Sequence, residues 1–105
     1  MSDCAAPEQG WRIVFQTGRV YKGWQDLFEK AKENMEHCRN HLSSHPLQRI
    51  PGRVFPLKGN AYKGTWEYEV TSGDRVFYRP KPETKTVVIY YAGKHPKPPS
   101  PLHPP

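Results

Sequence analysis

The sequence predicts an α+β domain: a small antiparallel sheet of four to five strands, with one or two helices from the N-terminal half packed on one face. Three patterns carry that prediction. Apolar residues recur at spacings of three and four between residues 20 and 44. Trp66, Tyr68 and Val70 alternate with Glu67, Glu69 and Thr71. Residues 86–92, Thr-Val-Val-Ile-Tyr-Tyr-Ala, form an almost unbroken β-branched and aromatic run.

Each element follows in order. Residues 11–16, Trp-Arg-Ile-Val-Phe-Gln, read as a first strand between Gly10 and Gly18. From residue 20 to 44 the chain reads as helical. Trp24, Leu27, Phe28, Ala31, Met35, Cys38 and Leu42 fall on one stripe, with Gly23 marking a possible division into two shorter helices. Ser43, Ser44 and Pro46 end it. Residues 53–57 are short and extended, and Lys58-Gly59-Asn60 breaks them. The alternating segment from Trp66 is a half-buried strand, and Ser72-Gly73-Asp74 turns it back into a partner strand over residues 75–79. Pro80-Lys81-Pro82-Glu83 is the next turn, and the run from Thr86 is a strand expected to be buried on both faces.

A chain of 105 residues has room for one core, assigned to residues 1–95, with residues 96–105 as a proline-rich tail. The apolar fraction is low at 35%, and Trp11, Trp24, Trp66 and ten Tyr and Phe residues compensate with large areas per side chain. No segment reaches the ~18 apolar residues of a membrane span, and no signal-peptide pattern opens the sequence, so a cytoplasmic location is expected. Cys4 and Cys38 do not make a disulfide framework. His37, His41 and His45 share a helical spacing beside Cys38, but no second ligand pair follows, so neither metal nor cofactor is expected.

Charge is unevenly spread. Residues 1–45 carry equal numbers of basic and acidic side chains, whereas residues 46–105 hold all of the net +6. A one-sided field of this kind suits a polyanionic partner.

The pieces Pro56-Leu57-Lys58-Gly59-Asn60, Gly64-Thr65-Trp66, Gly73-Asp74-Arg75-Val76-Phe77-Tyr78 and Val87-Val88-Ile89-Tyr90-Tyr91-Ala92-Gly93-Lys94-His95 occur in one order. In that order the segment resembles the C-terminal half of the RelE/ParE toxin superfamily, on its RelE/YoeB-like side. The resemblance implies a RelE-like fold and a toxin of a type II toxin–antitoxin system. It implies a cognate antitoxin as partner, no membrane, and a monomer or weak homodimer when the toxin is free. RelE- and YoeB-like members cleave mRNA on the ribosome, which would make this chain an endoribonuclease. ParE-like members inhibit DNA gyrase without chemistry of their own, and that alternative stays open.

Cleavage through a 2′-hydroxyl needs a base, cations around the phosphorane and an acid for the leaving oxygen. By the resemblance, Arg75 stands at the family's arginine, where its fork can hold two phosphate oxygens. His95 follows the last strand and can exchange a proton near neutrality. Tyr91 can stack on a base or donate a proton. Lys58, Lys63, Arg79 and Lys94 are the expected RNA-binding cations. Against this, Arg75 can pair with Glu67 or Glu69 across the hairpin. Three positions also depart from the YoeB pattern. Phe55 replaces a glutamate, Glu67-Tyr68-Glu69 replace basic residues, and the C-terminal tyrosine has no counterpart.

Overall fold

The computed structural model describes residues 10–57 and 63–94. Lys58, His95, the turn at Lys58-Gly59-Asn60, Cys4 and the tail 96–105 lie outside the described residues. Seven elements follow in order: β1 (Arg12–Phe15), α1 (Gly18–Lys30), α2 (Lys32–Ser44), β2 (Val54–Pro56), β3 (Trp66–Glu69), β4 (Asp74–Lys81) and β5 (Thr86–Lys94). They form one five-stranded sheet in the order β1-β5-β4-β3-β2.

The α+β architecture stands, and the sheet is mixed. β2, β3, β4 and β5 run antiparallel, but β1 pairs parallel with β5, Ile13 opposite Val87 and Phe15 opposite Ile89. The parallel edge is possible because the chain leaves β1 through a long helical connection rather than a tight turn. The backbone N–H of Trp11 donates to the Ser43 carbonyl (2.7 Å), tying the start of the sheet to the end of α2.

The helical region divides in two, as one reading of its sequence allowed, but at Ala31 rather than Gly23. Thr17 caps α1 by accepting from the Val20 N–H at 3.2 Å. Ala31 leaves helical geometry (φ −141°, ψ 64°) and serves as the boundary of both helices. Gly23 continues the helix because its missing side chain lets α1 lie against β5. A Cβ built there would stand 2.3 Å from the Ala92 carbonyl oxygen.

The expected stripe forms the core. Trp24, Leu27, Met35, Cys38 and Leu42 pack against Val54, Tyr68, Val70, Val76, Tyr78, Val87, Ile89 and Ala92, with Trp66 partly buried beside them. Burial pushes the Cys38 thiol well above its ordinary range, which makes it an inert apolar filler. Two polar side chains of this layer are paired. Tyr78 donates its hydroxyl to the Pro46 carbonyl at 2.7 Å, and burial raises its phenol far above the usual range. Asn34 donates to the Val70 carbonyl at 2.9 Å, anchoring α2 to the β3–β4 hairpin.

Two strand expectations are corrected. β4 continues through Pro80 to Lys81, and the turn falls over residues 82–85. Past Tyr78, β4 has outrun β3 and pairs with β5 alone, an edge situation that tolerates proline. β5 is not buried evenly on both faces. Val87, Ile89 and Ala92 are buried in the helix-side core, and on the other face Tyr90 is buried whereas Val88 and Tyr91 are half-buried. Among the described residues no helix or further strand lies over the reverse face, where Phe77 and Tyr90 are nonetheless buried.

Candidate open-face site

The site sits on the sheet face turned away from the helices. Residues 75, 77 and 79 of β4 alternate onto this face, because Val76 and Tyr78 point into the core. Register sets their neighbours. Arg75 lies between Glu69 of β3 and Gly93 of β5, and Phe77 lies between Glu67 and Tyr91. A bulge between Phe77 and Tyr78 leaves Tyr90 as the extra residue of β5. Phe77 meets Tyr90 and Tyr91 edge-on at 6.1 and 5.7 Å between centroids, which builds an aromatic ridge across the middle of the face.

Arg75 is only 9% exposed, and its fork is occupied. Nε donates to Glu67 Oε2 at 2.9 Å, and Nη1 donates to the carbonyls of Thr71 (2.7 Å), Asp74 (3.1 Å) and Ser72 (3.2 Å). Nη2 stands 3.6 Å from the Glu69 carboxylate. Two carboxylates thus face one guanidinium, and the three carbonyls are those of the turn itself. Arg75 locks the β3–β4 hairpin, as the pairing alternative allowed. An RNA phosphate here would have to displace a carboxylate already held in a low-dielectric setting.

The turn has a second lock behind it. Asp74 is almost fully buried and accepts from the Thr71 hydroxyl (2.8 Å) and the Lys30 ammonium (3.1 Å). Burial opposes its ionisation, but Thr71, Lys30 and the nearby Lys94 outweigh that and hold the carboxyl below the usual range.

The predicted site residues divide between two ends of the face. Arg75, Tyr91 and Lys94 gather at the hairpin end, since Lys94 pairs with Asp74 in the ladder. The Tyr91 hydroxyl donates to the Lys94 carbonyl, and burial followed by the charge of Asp74 raises its phenol above the usual range, so it is a weakened acid. Arg79 and Lys63 lie together at the opposite end. There Arg79 Nη2 donates to the Lys63 carbonyl (3.3 Å) and to the Thr65 hydroxyl (3.5 Å). Arg79 Nε has no hydrogen-bond partner among the described residues. His95 and Lys58 lie outside the described residues, His95 directly after Lys94.

Asp74 and Phe77 were missed from the sequence, although counting back from the Ser72-Gly73 turn places Glu69 against Arg75 and Glu67 beside Phe77. Among the described residues no group of three or more His, Cys, Asp or Glu side chains is arranged to hold a metal ion. Of the helical histidines, His41 packs edge-on to Tyr68 and His45 contacts the Ser44 hydroxyl. No helix among the described residues is long and apolar enough to cross a membrane.

Two helices laid on one face of a five-stranded mixed sheet with a parallel N-terminal strand make an α+β fold like that of the RelE/ParE toxins. The chain superposes on a YoeB/ParE toxin from Agrobacterium tumefaciens with a TM-score of 0.62 at 21% identity, covering 80% of this chain and 98% of that one. It matches the toxin–antitoxin complex DinJ-YafQ from E. coli at a TM-score of 0.62 and 17% identity, over 81% of this chain and 92% of that one. The archaeal RelE-RelB complex from Pyrococcus horikoshii OT3 matches at a TM-score of 0.60 and 20% identity, over 80% and 93% of the two chains. No family model matches the sequence, and no curated protein does. The likeness is therefore one of fold, and the RelE-like α+β architecture expected from the sequence is the one observed.

Proposed function

We propose that the protein is the toxin of a type II toxin–antitoxin pair, neutralised by a cognate antitoxin and acting on its target by binding rather than by cutting RNA. Its fold supports the first part, since the similar structures include toxins bound to their antitoxins. The +6 charge confined to residues 46–105 supports capture of an acidic partner. The observation that carries the second part is the occupied fork of Arg75. Its Nε and Nη1 donate to Glu67 and to three turn carbonyls, and Nη2 faces Glu69. Preorganised charge stabilises a phosphorane only if it is aimed at the phosphate and not already neutralised.

A second reading keeps a ribosome- or mRNA-directed endoribonuclease. The grouping of Arg75, Tyr91 and Lys94 at one end, with His95 following in the chain, favours it. In that reading Glu67 must leave Arg75 on substrate binding. Lys58, Lys63, Lys94 and Arg79 then hold flanking phosphates.

The test has two stages. Induced expression should arrest growth, and a small open reading frame beside the gene should relieve the arrest and co-purify with the protein. Failure of both removes the toxin reading. Programmed ribosomes and gyrase supercoiling are then assayed side by side. Intact mRNA with persistent arrest supports action by binding. Cleavage that falls by roughly 10²–10³-fold in Arg75→Ala restores the nuclease.

A further inference from the structure

On the far side of the molecule from the open sheet face, α1 and α2 enclose a shallow groove of about 350 Å³ lined by Tyr21, Trp24, Gln25, Phe28, Glu29 and Arg39. Aromatic rings form much of it. Trp24 meets Phe15 at 5.4 Å and Phe28 at 5.8 Å between centroids, and Arg39 of α2 stacks over Phe28 at 5.3 Å. Tyr21 meets Phe15 at 4.9 Å and is still 46% exposed. Leu47 is the other large apolar side chain so exposed among the described residues.

The α1 side of the groove is complementary to itself. Tyr21, Gln25 and Glu29 are all exposed and follow at intervals of four, so they form one row ~12 Å long with Gln25 at its midpoint. Consider a second α1 laid antiparallel on this row, related by a two-fold axis through Gln25. Each Tyr21 then stands opposite Glu29 of the other copy. Its hydroxyl donates to that carboxylate, and its ring lies against Phe28 and Arg39. At the axis the two Gln25 amides meet, each a donor and an acceptor. Among the described residues the Glu29 and Arg39 side chains make no salt bridge or hydrogen bond that would compete.

Charge selects a second copy as the occupant. Residues 1–45, which supply both helices, carry no net charge, whereas the +6 lies in residues 46–105. A strongly acidic or basic partner is not steered to the helical face, and two copies that meet through it keep their cationic sheets apart. Lys22 and Asp26 of α1 pair at 2.6 Å and so neutralise each other. Two 13-residue helices, each ~20 Å long, offer a footprint at the small end of specific interfaces. Such a footprint corresponds to a weak dimer, with a Kd on the order of 10–100 μM.

We infer that two copies of the chain associate through this groove, α1 antiparallel to α1 about a two-fold axis at Gln25, with each Tyr21 seated against Phe28, Glu29 and Arg39 of the other copy. This goes beyond the toxin reading and does not depend on it.

Sedimentation velocity of the full chain between about 1 and 300 μM tests it, with circular dichroism to confirm that each variant folds. The parent is expected to pass from monomer to dimer across that range. Tyr21→Ala should move the midpoint to higher concentration by roughly tenfold or more. Gln25→Glu and Gln25→Lys each bring like charges together at the axis and should stay monomeric, whereas an equimolar mixture of the two should dimerise again. Leu47→Ala, at the other exposed apolar side chain, should associate like the parent. A parent that stays monomeric throughout the range overturns the inference. So does a dimer that is indifferent to Tyr21 and Gln25 or is broken by Leu47→Ala, because another surface then holds it. A mixture of the Gln25 variants that fails to recover overturns the two-fold arrangement.

Discussion

Replacing Gly23 by alanine opposes local and tertiary preference at a single atom. In an isolated helix the change stabilises by roughly 1 kcal/mol, because alanine is the better helix former. In this fold the added Cβ would lie 2.3 Å from the Ala92 carbonyl oxygen. That oxygen belongs to the backbone of β5, where Ala92 is paired with Val76 of β4, so it is not free to rotate away. Restoring an ordinary contact needs about 1 Å of movement of α1 off the sheet, and a gap of that size forfeits a quarter to a half of each van der Waals well around Leu27 and Trp24. Overpacking of this kind costs about 1–3 kcal/mol. Set against the helix-propensity gain, Gly23→Ala is expected to destabilise by up to about 2 kcal/mol, or up to roughly 16 °C in Tm for a domain of this size. Gly18→Ala is the internal control, since nothing lies within 4 Å of its Cβ, and it should be neutral or stabilising. Urea and thermal unfolding followed by circular dichroism measure both. A Gly23→Ala variant more stable than the parent by that ~1 kcal/mol would refute the close approach of α1 to β5.

Leu27→Ala should cost about 2–5 kcal/mol in the same unfolding assay, because Leu27 is 3% exposed. Phe28→Ala should cost less, since Phe28 lies only partly within the core. Arg75→Ala should lower stability by about 3–5 kcal/mol by stranding the Glu67 carboxylate, 9% exposed, and a loss below 0.5 kcal/mol would release Arg75 from its structural role. Acid should weaken the fold in two windows. Burial, with His45 nearby, lowers the His41 imidazole below its ordinary 6.5, so the stability tied to its neutral form is complete above that pH and is lost as pH falls through and below it. Asp74, held below the ordinary 3.8, contributes stability above that pH, which is lost as pH falls further. Melts between pH 8 and 3 should show both declines, and His41→Gln should remove the first alone.

The elements that could be read from the sequence are those whose signal is carried by spacing. The stripe from Trp24 to Leu42 and the alternation of Trp66, Tyr68 and Val70 both meet in the observed core, because a helix and a strand each repeat at a fixed period and need one dry face. The hairpin at Ser72-Gly73 was equally plain, and with it the possibility that Arg75 pairs with Glu67 or Glu69. Whether that pair forms is a question of free energy between competitors, and register alone does not decide it. Three turn carbonyls converge on Nη1 and tip the balance towards a structural arginine.

Sequence by itself determined the α+β class, the core stripe, the strand order along the chain and the charge of the C-terminal half, since each depends on residues near one another in the chain. Only the tertiary structure decided that β1 runs parallel at the edge, that Gly23 is a contact rather than a break, and that Arg75 is sequestered while Arg79 stands at the other end of the face. Each of those outcomes depends on atoms brought together from distant parts of the chain: the Ala92 carbonyl against Gly23, Lys30 against Asp74, Ile89 beside Phe15. Local periodicity contains no term for such encounters. They are settled by close packing and by the cost of leaving a buried polar group unpaired.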